Sequence, residues 1–230
     1  MNDLSIAIQH APGRADRRQW AQSMIAQLRR EEPGLPVKLV ADARLEGCWP
    51  TYRRALEAAG GAGHHVVLQD DLALCGDFVG SVRAVVRARP DSLVALYTNA
   101  DSVYRARARG ESWIEKAGVS GQAVVWPNGL IGEFIRWQDA HVRRDFPWDD
   151  ARVSMWLVGT GRRAFATVPS LTQHLGCGAS TLGLNGRGKV AAWYVGSERS
   201  ALGIDWSRGL SLPLKDTTHV RPEWWAYYVA

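Results

Sequence analysis

The chain has 230 residues, of which 46% are hydrophobic and 22% charged, and its formal net charge is +5. These values exclude a disordered, collagen-like or coiled-coil chain, and the length suits one well-buried α/β domain better than two domains. No run of about 18 apolar residues and no basic start followed by an apolar stretch occurs, so we predict neither a membrane span nor secretion. The three cysteines lack C-x-x-C spacing, which argues against disulfides and a zinc knuckle and favours a reducing cytoplasm.

The first half of the chain alternates between strand and helix patterns. Short apolar runs predict strands at residues 5–9, 37–40, 65–68 and 92–97. Amphipathic stretches between them predict helices at residues 16–30, 51–59 and 78–89. Such alternation predicts a single Rossmann-like α/β domain with a mostly parallel central sheet flanked by helices.

The second half is less regular. Residues 101–116 are polar and basic, and we expect a surface loop or irregular helix there. Further strands are predicted at 122–126 and 164–168, and further helices at 128–137 and 151–159. Beyond residue 183 the periodic signals weaken. We therefore predict a core domain over residues 1–183 and an irregular C-terminal extension over residues 184–230, packed on that core.

Two adjacent acids, Asp70 and Asp71, follow the apolar run of residues 65–68. Ligands of parallel α/β sheets bind beyond the carboxyl ends of the strands, so these acids should face a crevice. Carboxylates in that position can hold a hard divalent cation, which in turn neutralises a diphosphate. The alternative is that they cap the following turn through backbone N–H groups.

Two further features could contribute to the same chemistry. His174 follows the strand predicted at 164–168 and could reach the same metal ion, or it could be an ordinary loop histidine. Asp149 and Asp150 stand just before a predicted helix. One of these two acids could cap the helix while the other serves as a general base.

The chain resembles the GT-A glycosyltransferases, particularly the small lipopolysaccharide-type and phage-encoded members. Four segments carry the resemblance through their residues and their order along the chain, namely 47–51, 67–71, 148–150 and 169–174. The resemblance runs from about residue 5 to residue 183. It implies a GT-A domain that moves a sugar from a nucleotide sugar, with a UDP-sugar as the first expectation, to an acceptor hydroxyl. It also implies Mn²⁺ or Mg²⁺ as the cofactor.

The resemblance assigns roles to the acids. In that family a D-x-D motif closes a strand and its last acid binds the metal ion, and here the corresponding window reads Gln69-Asp70-Asp71, with Gln in place of the first acid. It implies that Asp71 is a metal ligand and that Asp70 and Gln69 contact the donor. His174 would be a further metal ligand.

The resemblance also implies that Asp150 takes the proton from the acceptor, with Asp149 beside it. The expected donor-binding residues follow the first two strands or begin the next helix, and they are His10, Pro12, Arg14, Asp42 and Arg53. We expect Arg17 and Arg18, by contrast, to be solvated residues of the first helix.

The acceptor is left open between two classes. A basic surface could hold DNA by phosphate contacts and stacking, through Trp113, Trp126, Trp137 and Trp148 and through Arg105, Arg107, Arg109, Arg143 and Arg144. A hydroxymethylated base in phage DNA would then have to leave the duplex stack, and the protein would act in the host cytoplasm. A glycan or lipopolysaccharide acceptor predicts a similar site. The rival functions are a nucleotidyltransferase and a non-catalytic nucleic-acid-binding protein.

Overall fold

A computed structural model describes residues 3–175, 189–216 and 221–229. Its strands are β1 Leu4–His10, β2 Val37–Ala41, β3 His64–Gln69, β4 Leu72–Leu74, β5 Leu93–Ala95, β6 Trp113–Lys116, β7 Ala123–Pro127, β8 Ala164–Thr167, β9 Thr172–His174 and β10 Leu214–Asp216. Its helices are α1 Ala15–Glu31, α2 Cys48–Glu57, α3 Phe78–Ala88, α4 Ser102–Ala108, α5 Asn128–His141 and α6 Asp149–Gly159, followed by a 3₁₀ helix at Pro222–Tyr227.

Eight strands form one central sheet in the order β10-β6-β8-β5-β7-β3-β1-β2. Strands β1, β2, β3, β5 and β8 run in one direction, and β6, β7 and β10 run in the other. Helices connect the first parallel strands, as expected for crossovers between parallel neighbours. The predicted single Rossmann-like α/β domain is confirmed, and its architecture is consistent with the GT-A type.

Helices cover both faces of the sheet because the strands bury side chains on both sides. Leu4, Ile6 and Ile8 of β1 pack on one face with α1 and α3, while Ala7 packs on the other face with α2, α5 and α6. The second face contains an aromatic cluster, in which the ring centroids of Phe134 and Trp126 lie 4.9 Å apart. A sheet covered on both faces exposes its strand ends, and ligands of such sheets bind there.

The prediction of a surface loop or irregular helix at residues 101–116 is wrong in its second half. This segment forms helix α4 and then strand β6, which pairs with β8 inside the sheet. Trp113 and Ile114 are fully buried, and the charge of Lys116 is compensated by Asp216, whose Oδ2 lies 2.9 Å from Nζ. The sequence of this core strand resembles that of a polar loop because it includes Lys116, whose charge is buried together with that of Asp216.

The C-terminal part of the chain contributes to the sheet. Strand β10 pairs in parallel with β6 and forms one edge. The boundary predicted at residue 183 lies outside the described residues, so the division into a core and an extension stays a prediction. None of the helices in the described ranges combines the length and apolar character needed to cross a bilayer.

Candidate active site

The carboxyl ends of the parallel strands β1 and β3 meet at one edge of the sheet. Gln9 of β1 lies beside Gln69 of β3, so the residues that follow both strands emerge together. His10 ends β1, and the acids Asp70 and Asp71 follow β3 directly. The structure thus brings the predicted loop after the first strand to the predicted acid pair.

Asp70 is held by protein donors on both carboxylate oxygens. Oδ2 accepts a hydrogen bond from the Ala11 N–H at 2.8 Å and lies 2.8 Å from His10 Nδ1, while Oδ1 accepts one from Arg17 at 2.5 Å. Its side chain is only 1% exposed, and this burial raises its pKa against the lowering effect of the Arg17 charge. The geometry makes Asp70 an anchor for its neighbours, and its predicted contact with the donor stays a prediction.

Asp71 uses less of its hydrogen-bonding capacity than Asp70 does. Its Oδ2 lies 2.6 Å from Arg17 Nη2 and 3.3 Å from His174 Nε2, whereas its buried Oδ1 has no hydrogen-bond partner within the described part of the chain. Burial acts to raise the pKa of Asp71, but the hydrogen bond from His174 and the charge of Arg17 outweigh it and lower the pKa. Asp71 is therefore an ionised carboxylate with one unused oxygen.

A short antiparallel ribbon positions His174 beside Asp71. Strands β4 and β9 pair so that Leu72 faces His174, and the Leu175 N–H donates to the Asp71 backbone carbonyl at 2.9 Å. This pairing joins two segments about a hundred residues apart in the chain. His174 Nδ1 is buried and has no partner among the residues described. The Tyr97 ring packs nearby, with ring centroids 6.5 Å apart.

Arg17 lies against the first acid pair, contrary to the prediction from the sequence. It was expected to be solvated, but its side chain is only 13% exposed and its guanidinium bridges Asp70 and Asp71. The reason is its place in the first turn of α1, which starts just beyond the carboxyl end of β1. That position was a usable signal, because side chains there face the edge where the acids emerge. Arg18 is exposed, as expected.

The second acid pair lies at the start of α6. Asp149 is 5% exposed, and its Oδ1 accepts a hydrogen bond from the Asp150 N–H at 2.8 Å. Burial and the nearby charge of Asp150 raise the pKa of Asp149 to about 7. Asp150 is half-buried and accepts from the Ala151 N–H at 2.7 Å. Its pKa is also raised by burial, against the charges of Lys189 and Arg221.

Neighbouring residues connect the two acid pairs. The Gln9 side chain donates to the Cys48 carbonyl at 2.9 Å and is near enough to Asp149 to act on the pKa of that acid, which it lowers against the effect of burial. A Cβ atom at Gly121 would lie 3.3 Å from Asp149 Oδ1, so the glycine allows a close backbone approach. Because Gln9 pairs in register with Gln69, both acid pairs lie along the same edge of the sheet.

Several predicted donor-binding residues are engaged elsewhere. Asp42 accepts hydrogen bonds from the Glu46 and Gly47 N–H groups at 2.8 and 3.0 Å. Arg53 forms a bidentate ion pair with Asp139 on the surface between α2 and α5. Arg14, in the turn with Pro12, pairs with Asp16. Within the described residues no hydrogen bond or ion pair joins the Asp42 or Arg53 side chain to either acid pair, although the Asp42 N–H donates to the His10 carbonyl at 2.8 Å. The donor contacts of these residues stay predictions.

The divalent cation that the resemblance implies would find two protein ligands at this site, Asp71 and His174. Within the described ranges no group of three or more His, Cys, Asp and Glu side chains is arranged to hold a metal ion. Two neighbouring ligands of an octahedral Mg²⁺ lie about 3 Å apart, given metal–oxygen distances of about 2.1 Å. The separation of 3.3 Å between Asp71 Oδ2 and His174 Nε2 is close to that, and Asp71 Oδ1 is also unused. Because such ions keep several waters and substrate phosphates as ligands, two protein ligands fit.

The tryptophans expected to form a nucleic-acid surface are largely internal. Trp113 and Trp126 are fully buried in the core, and Trp137 and Trp148 are half-buried against a cluster of Val142, Phe146, Ala151 and Met155. Of the two alternatives for these residues, a nucleic-acid surface or the core, Trp113 and Trp126 therefore belong to the core. Their burial is explained by packing, since a bulky ring contributes more to a core than to a surface.

No protein-family model and no curated protein sequence matches the chain. Among solved structures, it is similar to a mutant of Drosophila β-1,4-galactosyltransferase 7 in complex with manganese, UDP-Gal and xylobiose. The sequence identity is 9% and the TM-score is 0.42, over 76% of this chain and 71% of that chain. A likeness at this level has no bearing on the activity of the chain.

Proposed function

We propose that this protein is a metal-dependent glycosyltransferase that moves a sugar from a nucleotide-sugar donor to an acceptor hydroxyl. The observation that carries the proposal is the placement of two acid pairs along one edge of the sheet. In the first pair both acids contact Arg17, and Asp71 also contacts the His174 imidazole, whereas in the second pair the pKa of Asp149 is raised toward neutrality. These two environments suit a reaction in which the first acid pair helps to bind a phosphate group and the second acid pair removes a proton.

The residues of the first pair act on the leaving group. Cleaving a sugar–phosphate bond leaves negative charge on the diphosphate, and a divalent ion, Mn²⁺ or Mg²⁺, would stabilise that charge where it develops. Asp71 and His174 are the residues that would hold the ion. Asp70 fixes the position of Arg17, because its two oxygens are already bonded to His10, Ala11 and Arg17.

The second pair supplies the base. Two carboxylates that interact this closely take up protons as a pair, and the more buried one retains its proton to higher pH. Asp149 is the more buried of the two and its pKa is raised to about 7, whereas Asp150 lies closer to solvent and faces the charges of Lys189 and Arg221, which act to lower its pKa. Asp150 is also the more exposed acid and can accept a proton from an acceptor hydroxyl.

For the acceptor we propose a glycan hydroxyl rather than a base in DNA. Binding DNA by stacking would rest on four indoles, and two of them, Trp113 and Trp126, lie in the core. The half-buried Trp148 directly precedes the acid pair and offers an aromatic surface for a sugar ring. Comparing transfer to simple glycans, hydroxymethylated DNA and unmodified DNA tests this choice.

The activity is tested by incubating the protein with Mn²⁺ and a panel of nucleotide sugars and measuring release of nucleoside diphosphate. Wild type is compared with Asp71→Asn, and the exposed Asp91→Asn is the matched control. We expect one donor to be hydrolysed slowly without an acceptor, with activity lost in Asp71→Asn and kept in Asp91→Asn. Equal activity of Asp71→Asn and wild type would exclude the site, and pyrophosphate release from a nucleoside triphosphate would point to nucleotidyl transfer instead.

A further inference from the structure

Arg17 gives the first acid pair a resident positive charge. Its two terminal nitrogens lie 2.5 Å from Asp70 Oδ1 and 2.6 Å from Asp71 Oδ2, and all three side chains are largely withdrawn from solvent. Two buried carboxylates so close together repel each other unless a cation lies between them. A planar guanidinium can serve both at once because its donors form a rigid fork.

The two contacts of Arg17 are not equivalent. Asp70 is fixed on its far side by His10 and by the Ala11 N–H, so its bond to Arg17 is part of a satisfied network. Asp71 has an unused buried oxygen and shares its other oxygen between Arg17 and His174. The contact to Asp71 is therefore the one that can be exchanged while Asp70 keeps the guanidinium in place.

We propose that Arg17 is a donor-binding residue that occupies the carboxylate pair before the donor arrives and moves its Asp71 contact to the donor diphosphate when a divalent cation binds Asp71. This inference rests on the proposed function. The Nε atom of Arg17 is also buried and has no partner in the described ranges, so the guanidinium has a further donor to offer. Phosphate oxygens accept such donors well, often two at a time.

This exchange has a consequence that a purely structural role lacks. In the donor-free protein Arg17 and the metal ion are two cations that compete for Asp71, so loss of the guanidinium should strengthen metal binding. In the donor complex both cations act on the same diphosphate, so the same loss should weaken binding of the nucleotide. A structural arginine would weaken both when removed.

The test uses Arg17→Met in the full chain, with Arg18→Met as the matched control because Arg18 is its exposed neighbour on the same helix. Mn²⁺ affinity of the nucleotide-free protein is measured by the loss of the free-ion electron paramagnetic resonance signal. Affinity for UDP at saturating Mn²⁺ is measured by calorimetry. We expect Arg17→Met to bind Mn²⁺ about tenfold more tightly and UDP about tenfold to a hundredfold more weakly, as for loss of a charged hydrogen bond. Arg18→Met should match wild type.

The outcomes separate this inference from the proposed function. If wild type binds neither Mn²⁺ nor UDP, the proposed function fails. If wild type binds both and Arg17→Met binds both unchanged, or both more weakly, the role of Arg17 is overturned while the proposed function stands. Should Arg17→Met not fold, Arg17→Lys decides, because an ammonium lacks the fork that spans both acids. It should show the same two opposite changes by smaller factors, and unchanged affinities would overturn the inference.

Discussion

The raised pKa of Asp149 predicts that replacing this acid by its neutral isostere makes the free energy of unfolding less dependent on pH. Asp149 is 5% exposed, and its pKa rises from an ordinary value of 3.8 to about 7 on folding. The folded protein therefore binds this proton more tightly than the unfolded chain does. Stability contributed by the proton is complete below about pH 4 and is lost as the pH rises to about 7.

The size of the effect follows from the shift. Each pH unit between the two pKa values changes the free energy of unfolding by about 1.4 kcal/mol. Between about pH 5 and about pH 8 the wild type should lose about 3 kcal/mol through Asp149, since titration stops near pH 7. Asp149→Asn removes this pH dependence of the free energy of unfolding. Any other effect of the amide on that free energy is the same at every pH and cancels when the two pH values are compared.

Urea denaturation of wild type and Asp149→Asn at about pH 5 and about pH 8 measures the difference directly. The variant should gain about 3 kcal/mol relative to wild type on going to the higher pH. Asp145→Asn is the control, because the Asp145 carboxylate lies on the surface, its pKa is lowered by Arg143, and it does not titrate in this range. If the difference between Asp149→Asn and wild type is the same at both pH values, Asp149 is not the group that holds the proton.

Three further outcomes are expected. Asp150→Asn should bind the nucleotide-sugar donor like wild type but transfer sugar about 10²- to 10⁴-fold more slowly, as measured by calorimetry and product formation, and unchanged transfer would place the base elsewhere. Lys116→Ala should lower the free energy of unfolding by about 3–5 kcal/mol because it removes one partner of a buried ion pair, whereas Lys116→Met combined with Asp216→Leu should lower that free energy by less, since it removes both charges. Phe134→Ala should lower the free energy of unfolding by about 3–5 kcal/mol, measured by urea denaturation, because it leaves a cavity between Trp126 and Trp156. A decrease below about 1 kcal/mol would contradict that packing.

The elements that the sequence predicted well are those whose pattern arises from burial on one or both faces. Strand β3 and helices α1 and α3 show this, since their apolar spacing matches their place in the fold. Strand β6 was missed because its charged end is neutralised by Asp216, a hundred residues later. Pairing between distant charges leaves no periodic signal in the sequence.

The site was predictable only in part for a similar reason. The acids after β3 and at the start of α6 stand next to strong strand and helix patterns, so their positions at the sheet edge could be inferred. The closeness of His174 to Asp71 depends on the β4–β9 ribbon, which joins short segments with weak signals. Arg17 has the periodicity of a surface helix residue, and only the direction of α1 relative to the sheet brings it to the acids.

A crystal structure with Mn²⁺ and UDP tests the central claim most directly. We predict a manganese anomalous peak about 2.2 Å from a carboxylate oxygen of Asp71 and from a ring nitrogen of His174, bridging to the UDP phosphates. A manganese ion bound elsewhere, or UDP phosphates bound away from these two side chains, would contradict the account.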